Sequence, residues 1–139
     1  MSDGQKSTGW AAWAPRFLSV LRIVAAALFM TVGTAKLFAF PAAVMPGGGT
    51  APLASLPGAA GVLETFGGLL LLLGLFTRPV AFVLSGQMAF AYFIGHAGNG
   101  FWPIVSGGAD AVLYCFLWLY LSAAGGGAWS LDALRKRSQ

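Results

Sequence analysis

The sequence predicts an all-α fold, a transmembrane four-helix bundle, from three observations. Only 9% of the 139 residues are charged and 58% are hydrophobic, with a mean hydropathy of +0.77. Soluble domains carry about 25% charged residues, so this chain has too few charges to cover a water-facing surface. Four apolar segments, each close to the ~20 residues that a membrane span requires, follow one another between Gly- and Pro-rich stretches.

Proline and glycine mark where each predicted helix ends. The predicted spans are residues 17–40, 58–76, 80–95 and 110–124, and the linkers between them include residues 41–57 and 96–108. The first span is too long for the core of a cleavable signal peptide. Thr77, Arg78 and Pro79 form a tight turn, with Pro79 expected as the first residue of the third helix. Ser130 is expected to cap a short final helix that runs through Arg137.

Lysine and arginine are distributed unevenly between the two ends of the predicted spans. With the N-terminus inside, the inner basic residues are Lys6, Arg16, Arg22, Arg78, Arg135, Lys136 and Arg137. Lys36 is then the only basic residue at the outer side. Because cytoplasmic loops carry the excess of Lys and Arg, we expect a multi-pass protein of a bacterial inner (plasma) membrane. Both termini then lie in the cytoplasm.

Three regions follow from this topology. They are a cytoplasmic N-terminal segment (residues 1–16), a four-helix transmembrane domain (17–124) and a cytoplasmic basic C-terminal tail (125–139). The tail is suited to anionic lipid headgroups. The formal charge of +4 does not indicate nucleic acid, since the basic residues form no stripe with interleaved aromatics.

Single Cys and His residues limit the redox chemistry that the chain itself can hold. Cys115 is the only cysteine and His96 the only histidine. One of each cannot build a bis-His haem, an iron–sulfur cluster or a zinc site. We therefore expect no metal site, and no internal disulfide.

Six polar residues are predicted to converge near the outer ends of the helices. They are Lys36, Glu64, Tyr92, His96, Asp110 and Tyr114. Glu64 lies about 9 Å below the outer end of the second span, at 1.5 Å per residue. Tyr92 lies one turn from His96 and shares its helix face. The same spacing relates Tyr114 to Asp110.

Several readings of these residues remain open. An ionisable residue in the middle of a span costs about 2.5–3.5 kcal/mol on insertion scales, so it usually faces the bundle interior. Glu64 either pairs structurally with Lys36, forms a ligand or proton site, or is a protonated carboxyl. His96 exchanges protons at the surface or is a plain interfacial residue, and the two tyrosines are belt residues or site residues. An inner layer holds Arg22, Arg78 and Asp132; snorkelling to headgroups is the alternative for both arginines.

The order and spacing of several short motifs resemble those of the DoxX family of membrane proteins. The motifs are residues 22–24, 33–37, 61–64, 67–69, 74–78, 91–93, 96, 101–103, 114–115 and 129–132. The resemblance extends from Phe17 to Asp132. One departure concerns the start of the fourth helix, where the family often has Asn-Gly-Gly-Glu. Here residues 106–110 read Ser-Gly-Gly-Ala-Asp, so the acid, Asp110, is displaced by one residue.

The resemblance implies a link to redox metabolism. Relatives form part of a thiosulfate:quinone oxidoreductase and of complexes that handle oxidative and thiol stress. The chain would then be at most a membrane subunit of an oxidoreductase, with no covalently bound cofactor. A quinone would bind near Lys36, Glu64, Tyr92 and His96, and electrons would come from a partner or a substrate.

Two other function classes stay open. One is a non-enzymatic membrane anchor or assembly factor, because the Gly-rich helices of the chain are suited to packing against partners. A small transporter is the third reading, and it requires oligomerisation because four helices make a thin wall. The expected partners are the lipid bilayer and either a protein of a membrane redox complex or further copies of the chain.

Overall fold

The computed structural model describes residues 9–139, and all of its regular secondary structure is helical. The helices are α1 (Ala14–Phe38), α2 (Leu56–Leu73), α3 (Thr77–Asn99), α4 (Pro103–Ser106), α5 (Ala109–Ala124) and α6 (Leu131–Arg137). A 3-10 turn, Gly9–Trp13, leads into α1. The first eight residues of the predicted N-terminal segment, which include Lys6, lie outside the described residues.

Among residues 9–139, three helices are long and apolar enough to cross a membrane. They are α1 with its leading turn (Gly9–Phe38, 30 residues), α2 (18 residues) and α3 (23 residues). The fourth apolar helix, α5, has 16 residues. The prediction of an all-α membrane protein is therefore confirmed in its general form.

The turn between α2 and α3 differs from its prediction. Helix α2 ends at Leu73, because Gly74 adopts a left-handed conformation with φ +68° that terminates helices. Helix α3 begins at Thr77, so the expectation that Pro79 is its first residue was wrong. The reason is tertiary: the Asp132 carboxylate accepts hydrogen bonds from the backbone N–H groups of Phe76 (2.9 Å) and Thr77 (2.8 Å). This interaction caps α3 two residues earlier than the proline signal indicates.

The far end of α3 also extends beyond its prediction. The helix continues through a π-helical segment, Tyr92–His96, and a 3-10 turn, Ala97–Asn99. The following linker contains α4, a single helical turn that the sequence did not predict. The final helix α6 is confirmed, and the Ser130 hydroxyl accepts a hydrogen bond from the backbone N–H of Ala133 (3.1 Å).

The core lies where α1 packs against α2 and where α3 packs against α5. Trp118 of α5 is fully buried at its centre. The Trp118 ring lies 5.4 Å from the Phe29 ring of α1 and 5.5 Å from the Tyr114 ring. Leu84 of α3 packs where Gly67 of α2 leaves room for it.

Large apolar side chains cover the outward faces of the helices. On α1 they are Phe17, Leu21, Val24, Leu28 and Val32, spaced three or four residues apart. The opposite face of α1 buries both small residues and polar ones, including Ser19 and Arg22. A helix that is apolar outside and carries its charge inside is suited to lipid rather than water.

Candidate functional site

Two polar clusters lie at opposite ends of the helices. We call them the Glu64 cluster (Lys36, Glu64 and Gln87) and the Arg22 cluster (Ser19, Arg22, Asp132 and the backbone around them). The Glu64 cluster lies between α1, α2 and α3. The Arg22 cluster joins the start of α1 to the end of α2 and to the segment that follows α5.

In the Glu64 cluster a buried carboxylate forms an ion pair. Glu64 is 2% exposed, and its two oxygens lie 2.7 and 2.8 Å from Nζ of Lys36. Gln87 donates a third hydrogen bond from Nε2 to Oε1 of Glu64 (3.1 Å). Lys36 is 22% exposed, so the pair reaches toward the surface on the lysine side. The sequence-based expectation that Glu64 lies in the interior beside Lys36 is confirmed.

A π-helical segment of α2 carries Glu64. The segment is Leu63–Gly67, and such single-turn π-bulges are frequent at functional sites. Helix α1 approaches it closely: a Cβ placed on Gly33 would lie 2.6 Å from the backbone nitrogen of Thr65. Gly33 thus allows the backbones of α1 and α2 to come together beside the carboxylate.

Gln87 was missed by the sequence analysis. It is the only amide side chain within the predicted third span, and a lone amide in an apolar helix is the signal that would have found it. Its carbonyl oxygen, Oε1, is buried and has no hydrogen-bond partner among residues 9–139. Thr65 Oγ1 is likewise buried without such a partner in the described chain.

Tyr92 and His96 share a helix face, as their spacing predicts, but their hydrogen bonds do not go to Glu64. The Tyr92 hydroxyl donates to the carbonyl oxygen of Phe101. Nδ1 of His96 lies 3.2 Å from the carbonyl oxygen of Ser106. Both side chains lie against Gly108, at the start of α5. They therefore brace the linker between α3 and α5.

The two remaining candidates lie apart from the ion pair. Tyr114 stacks on Trp118 and lies 5.0 Å from the Phe29 ring, within the aromatic core. Asp110 is exposed, and it forms no hydrogen bond through its side chain and no ion pair with the described residues. Of the six predicted residues, the structure joins only Lys36 and Glu64 by hydrogen bonds.

Arg22 is fully buried, at 0% exposure, so the snorkelling alternative was wrong for this residue. The guanidinium donates hydrogen bonds to four backbone carbonyls, those of Leu71, Leu72 (2.7 Å), Gly126 (2.8 Å) and Trp129 (2.6 Å). The last four carbonyls of a helix lack the usual partner four residues further on; here the Leu71 carbonyl also accepts a hydrogen bond from the N–H of Gly74 (3.0 Å). Arg22 therefore caps α2 and holds the segment after α5 against it.

The chain after α5 returns to the start of α1 through further hydrogen bonds. Ser19 accepts a hydrogen bond from the backbone N–H of Trp129 (2.9 Å), and the N–H of Ala128 donates to the carbonyl of Pro15 (3.1 Å). Burial alone would raise the pKa of Asp132, but hydrogen bonds from Thr77 and Phe76, with the nearby charge of Arg135, hold it below its usual value. Arg78 is exposed at this same end of the molecule.

Comparison with known proteins places the chain in a family. The family model described as DoxX matches residues 17–97, which include the Lys36–Glu64 pair, Gln87 and Arg22. A protein of Haemophilus influenzae, described as an uncharacterized protein, is 49% identical over 123 residues, covering 85% of this chain and 90% of that protein. No solved structure matches the chain. The chain belongs to the DoxX family.

Proposed function

We propose that the chain is a four-helix protein of a bacterial inner membrane, with α5 as the fourth span and both termini in the cytoplasm. The support is the return of the chain after α5 to the start of α1, where Ala128 bonds Pro15 and Trp129 bonds Arg22. If α1 enters the membrane from that end, the segment after α5 lies on the same side as the start of α1. The total number of membrane crossings must then be even. Basic residues are concentrated at this end, with only Lys36 at the other, as the positive-inside rule expects.

The length of α5 is compatible with this role. Its 16 residues extend over about 24 Å, against a hydrocarbon thickness of about 30 Å. Local thinning of the bilayer and flanking residues make up such a mismatch at modest cost. Its outward side chains Leu113, Phe116 and Leu119 are apolar and exposed, as lipid contact requires.

Within this membrane protein, we propose that the Glu64 cluster is a proton-exchanging site for the headgroup of a quinone. The observation that carries the proposal is the carboxylate of Glu64, which is 2% exposed and lies on a π-helical segment. Lys36 and the amide of Gln87 donate hydrogen bonds to it. Buried ionisable residues inside spans mark proton and substrate paths. The chain would then be a membrane subunit of a redox system.

The donor set of the cluster fits such a headgroup. Lys36 and the Gln87 amide are donors for carbonyl oxygens, and the unpartnered Gln87 Oε1 is an acceptor for a hydroxyl. When bound, a quinone would supply two-electron, two-proton chemistry. Glu64 would hold and release a proton at its carboxylate, while Lys36 would orient the headgroup. The electrons would come from a partner protein or a substrate.

Mass spectrometry of gently purified protein tests the proposal, together with two substitutions. We expect a quinone to co-purify with the wild type. Glu64→Gln keeps the shape and hydrogen bonding of the side chain but cannot ionise, so we expect normal membrane abundance and loss of protection in a redox-stress assay. Asp110→Asn is the matched control, since it neutralises an exposed acid outside the cluster. It should leave both properties unchanged.

One observation favours the anchor or assembly-factor reading instead. Lys36 engages both oxygens of Glu64, so the pair is complete without a ligand. A purely structural pair predicts that Glu64→Gln and Glu64→Leu lower abundance and function together. Glu64→Leu removes one partner of a buried pair, which typically costs about 3–5 kcal/mol, and less here because Lys36 is partly exposed. Full activity in an abundant Glu64→Gln protein would contradict the proton site.

A further inference from the structure

A cleft of about 750 Å³ opens at the Arg22 end of the molecule. It lies between the start of α1, the start of α3, the end of α5 and α6. Its wall combines basic side chains with apolar ones: Arg78, Arg135 and Lys136 with Leu18, Phe76 and Tyr120. The Glu64 cluster does not line this cleft, so neither the proton site nor the quinone bears on what it binds.

The side chains of the cleft carry a net positive charge, since three basic residues lie there with the single acid Asp132. Among residues 9–139 the one ion pair joins Lys36 to Glu64, so the three basic residues of the cleft have no carboxylate within 4 Å. Asp132 also lines the cleft, but its two oxygens already accept hydrogen bonds from the backbone N–H groups of Phe76 and Thr77. The one acid offsets only part of the charge of the three basic residues, so the cleft as a whole attracts an anion.

Two of the three basic groups lie close to other residues of the cleft. The Arg135 guanidinium lies 5.1 Å from the centre of the Phe76 ring, a cation–π arrangement that favours this position. Arg78 passes close to Gly125, where a Cβ would lie 3.6 Å from its Nε. A guanidinium is suited to the oxygens of a phosphate, which it binds through two parallel hydrogen bonds.

We propose that this cleft binds the phosphate headgroup of an anionic phospholipid, with the first part of the acyl chains against Leu18 and Tyr120. Basic pockets between transmembrane helices at the cytoplasmic side, where the topology proposed above puts this cleft, bind anionic headgroups in this way. The cleft adds Arg78 of α3 to the basic residues of the C-terminal helix. The lipid thereby bridges the body of the protein and its tail, which a diffuse attraction to the tail alone would not do.

Native mass spectrometry of detergent-purified protein, titrated with phosphatidylglycerol or phosphatidylcholine, tests this site. We expect the wild type to retain phosphatidylglycerol more strongly. Arg78→Gln and Arg135→Gln should each weaken that binding about fivefold, which corresponds to the loss of one basic contact near the lipid surface. Arg137→Gln is the control for Arg135→Gln. Arg137 lies on the same helix α6 and carries the same charge, but it does not line the cleft.

Each other outcome would overturn the proposal. An equal loss in Arg137→Gln would mean that the tail attracts lipid without a defined site. Equal binding of the two lipids would remove the role of the headgroup charge. Displacement of phosphatidylglycerol by excess inorganic phosphate would identify a site for a soluble anion instead. Arg78→Lys guards against a folding defect, since it keeps the charge and should retain most of the lipid binding.

Discussion

At the scale of single residues, Arg22 shows how this protein holds a charge in its interior with no carboxylate within 4 Å among residues 9–139. Four backbone carbonyls surround the guanidinium. Two of them, at Leu71 and Leu72, carry the negative end of the α2 helix dipole. Because each carbonyl needs a donor and the cation needs acceptors, the two requirements satisfy each other at one place.

Arg22→Lys should destabilise the protein although the charge is kept. An ammonium has three donors on a flexible stem and cannot reproduce the planar fork that bonds four carbonyls. Losing a hydrogen bond to a charged group costs about 1.5–3 kcal/mol, so we expect a loss of about 2 kcal/mol. The measurement is thermal unfolding of the purified protein in detergent. Arg16 is an exposed residue on the same helix, so Arg16→Lys should change the unfolding temperature little. Equal shifts in unfolding temperature for the two variants would contradict the role assigned to Arg22.

The pairing of Glu64 with Lys36 could be predicted from sequence, whereas the surroundings of Arg22 could not. Helix spacing and the cost of an isolated charge in lipid suffice to bring two opposite charges on neighbouring spans together. Arg22 bonds Gly126 and Trp129, more than a hundred residues away. Every residue has a backbone carbonyl, so the sequence does not distinguish these two from the others. Only the folded chain reveals the contact.

At the scale of elements, the approach of α1 to α2 depends on glycine. A Cβ on Gly33 would meet the Thr65 side-chain oxygen at 2.5 Å and the Thr65 backbone nitrogen at 2.6 Å. A backbone atom cannot move aside as a flexible side chain can. Small residues at such crossings are the means by which membrane helices pack closely.

Gly33→Ala should therefore force α1 and α2 apart, at a cost of about 1–3 kcal/mol as for other overpacked interiors. Gly86→Ala is the matched control, since Gly86 lies within α3 with open space around it. That substitution should be neutral or stabilise by up to about 1 kcal/mol through helix propensity. Thermal unfolding of both variants compares them directly, and equal effects would mean that the close crossing does not matter.

The docking of α6 onto the start of α3 should depend on pH. Asp132 accepts two backbone hydrogen bonds there, and its pKa is held below the usual value. A carboxyl whose pKa is lower in the folded state stabilises the fold above its unfolded pKa and loses that effect as pH falls through its folded pKa. Asp132→Ala should cost about 1 kcal/mol at neutral pH.

The difference in unfolding temperature between wild type and Asp132→Ala, measured from neutral to acidic pH, gives the test. It should shrink as the wild-type carboxylate becomes protonated. Other carboxyl groups titrate in both proteins and cancel in the difference. A gap that stays constant over the whole range would mean that the carboxylate charge contributes nothing to the docking of α6.

Glycine and proline predicted most helix boundaries, but not the π-helical segments or the Asp132 cap. The Ser130-capped helix α6 followed from a local signal. The π-helical segments Leu63–Gly67 and Tyr92–His96 have no side-chain cap that could mark them in the sequence. The early start of α3 required the position of Asp132, 55 residues further along the chain than Thr77.

At the scale of the whole molecule, the polar groups lie inside and at the ends while apolar side chains face outward. The side chains of Glu64 and Arg22 are buried. Phe82 and Val83 of α3 and Phe116 of α5, in contrast, are exposed. Composition alone was enough to predict this distribution, since so few charges cannot cover a surface in water. The number of crossings is a separate question, which depends on α5.

Reporter fusions should show that the chain crosses the membrane an even number of times. A reporter joined after Arg78 or after Gln139 should read cytoplasmic, and one inserted at residues 47–50 should read periplasmic. The physical reason is that hydrogen bonds from Ala128 to Pro15 and from Arg22 to Trp129 hold the C-terminal segment beside the start of α1. If only α1, α2 and α3 crossed, those bonds would have to form across the bilayer, which separates the two sides by about 30 Å. A periplasmic C-terminus would therefore rule out both α5 as a span and the Arg22 cluster as described.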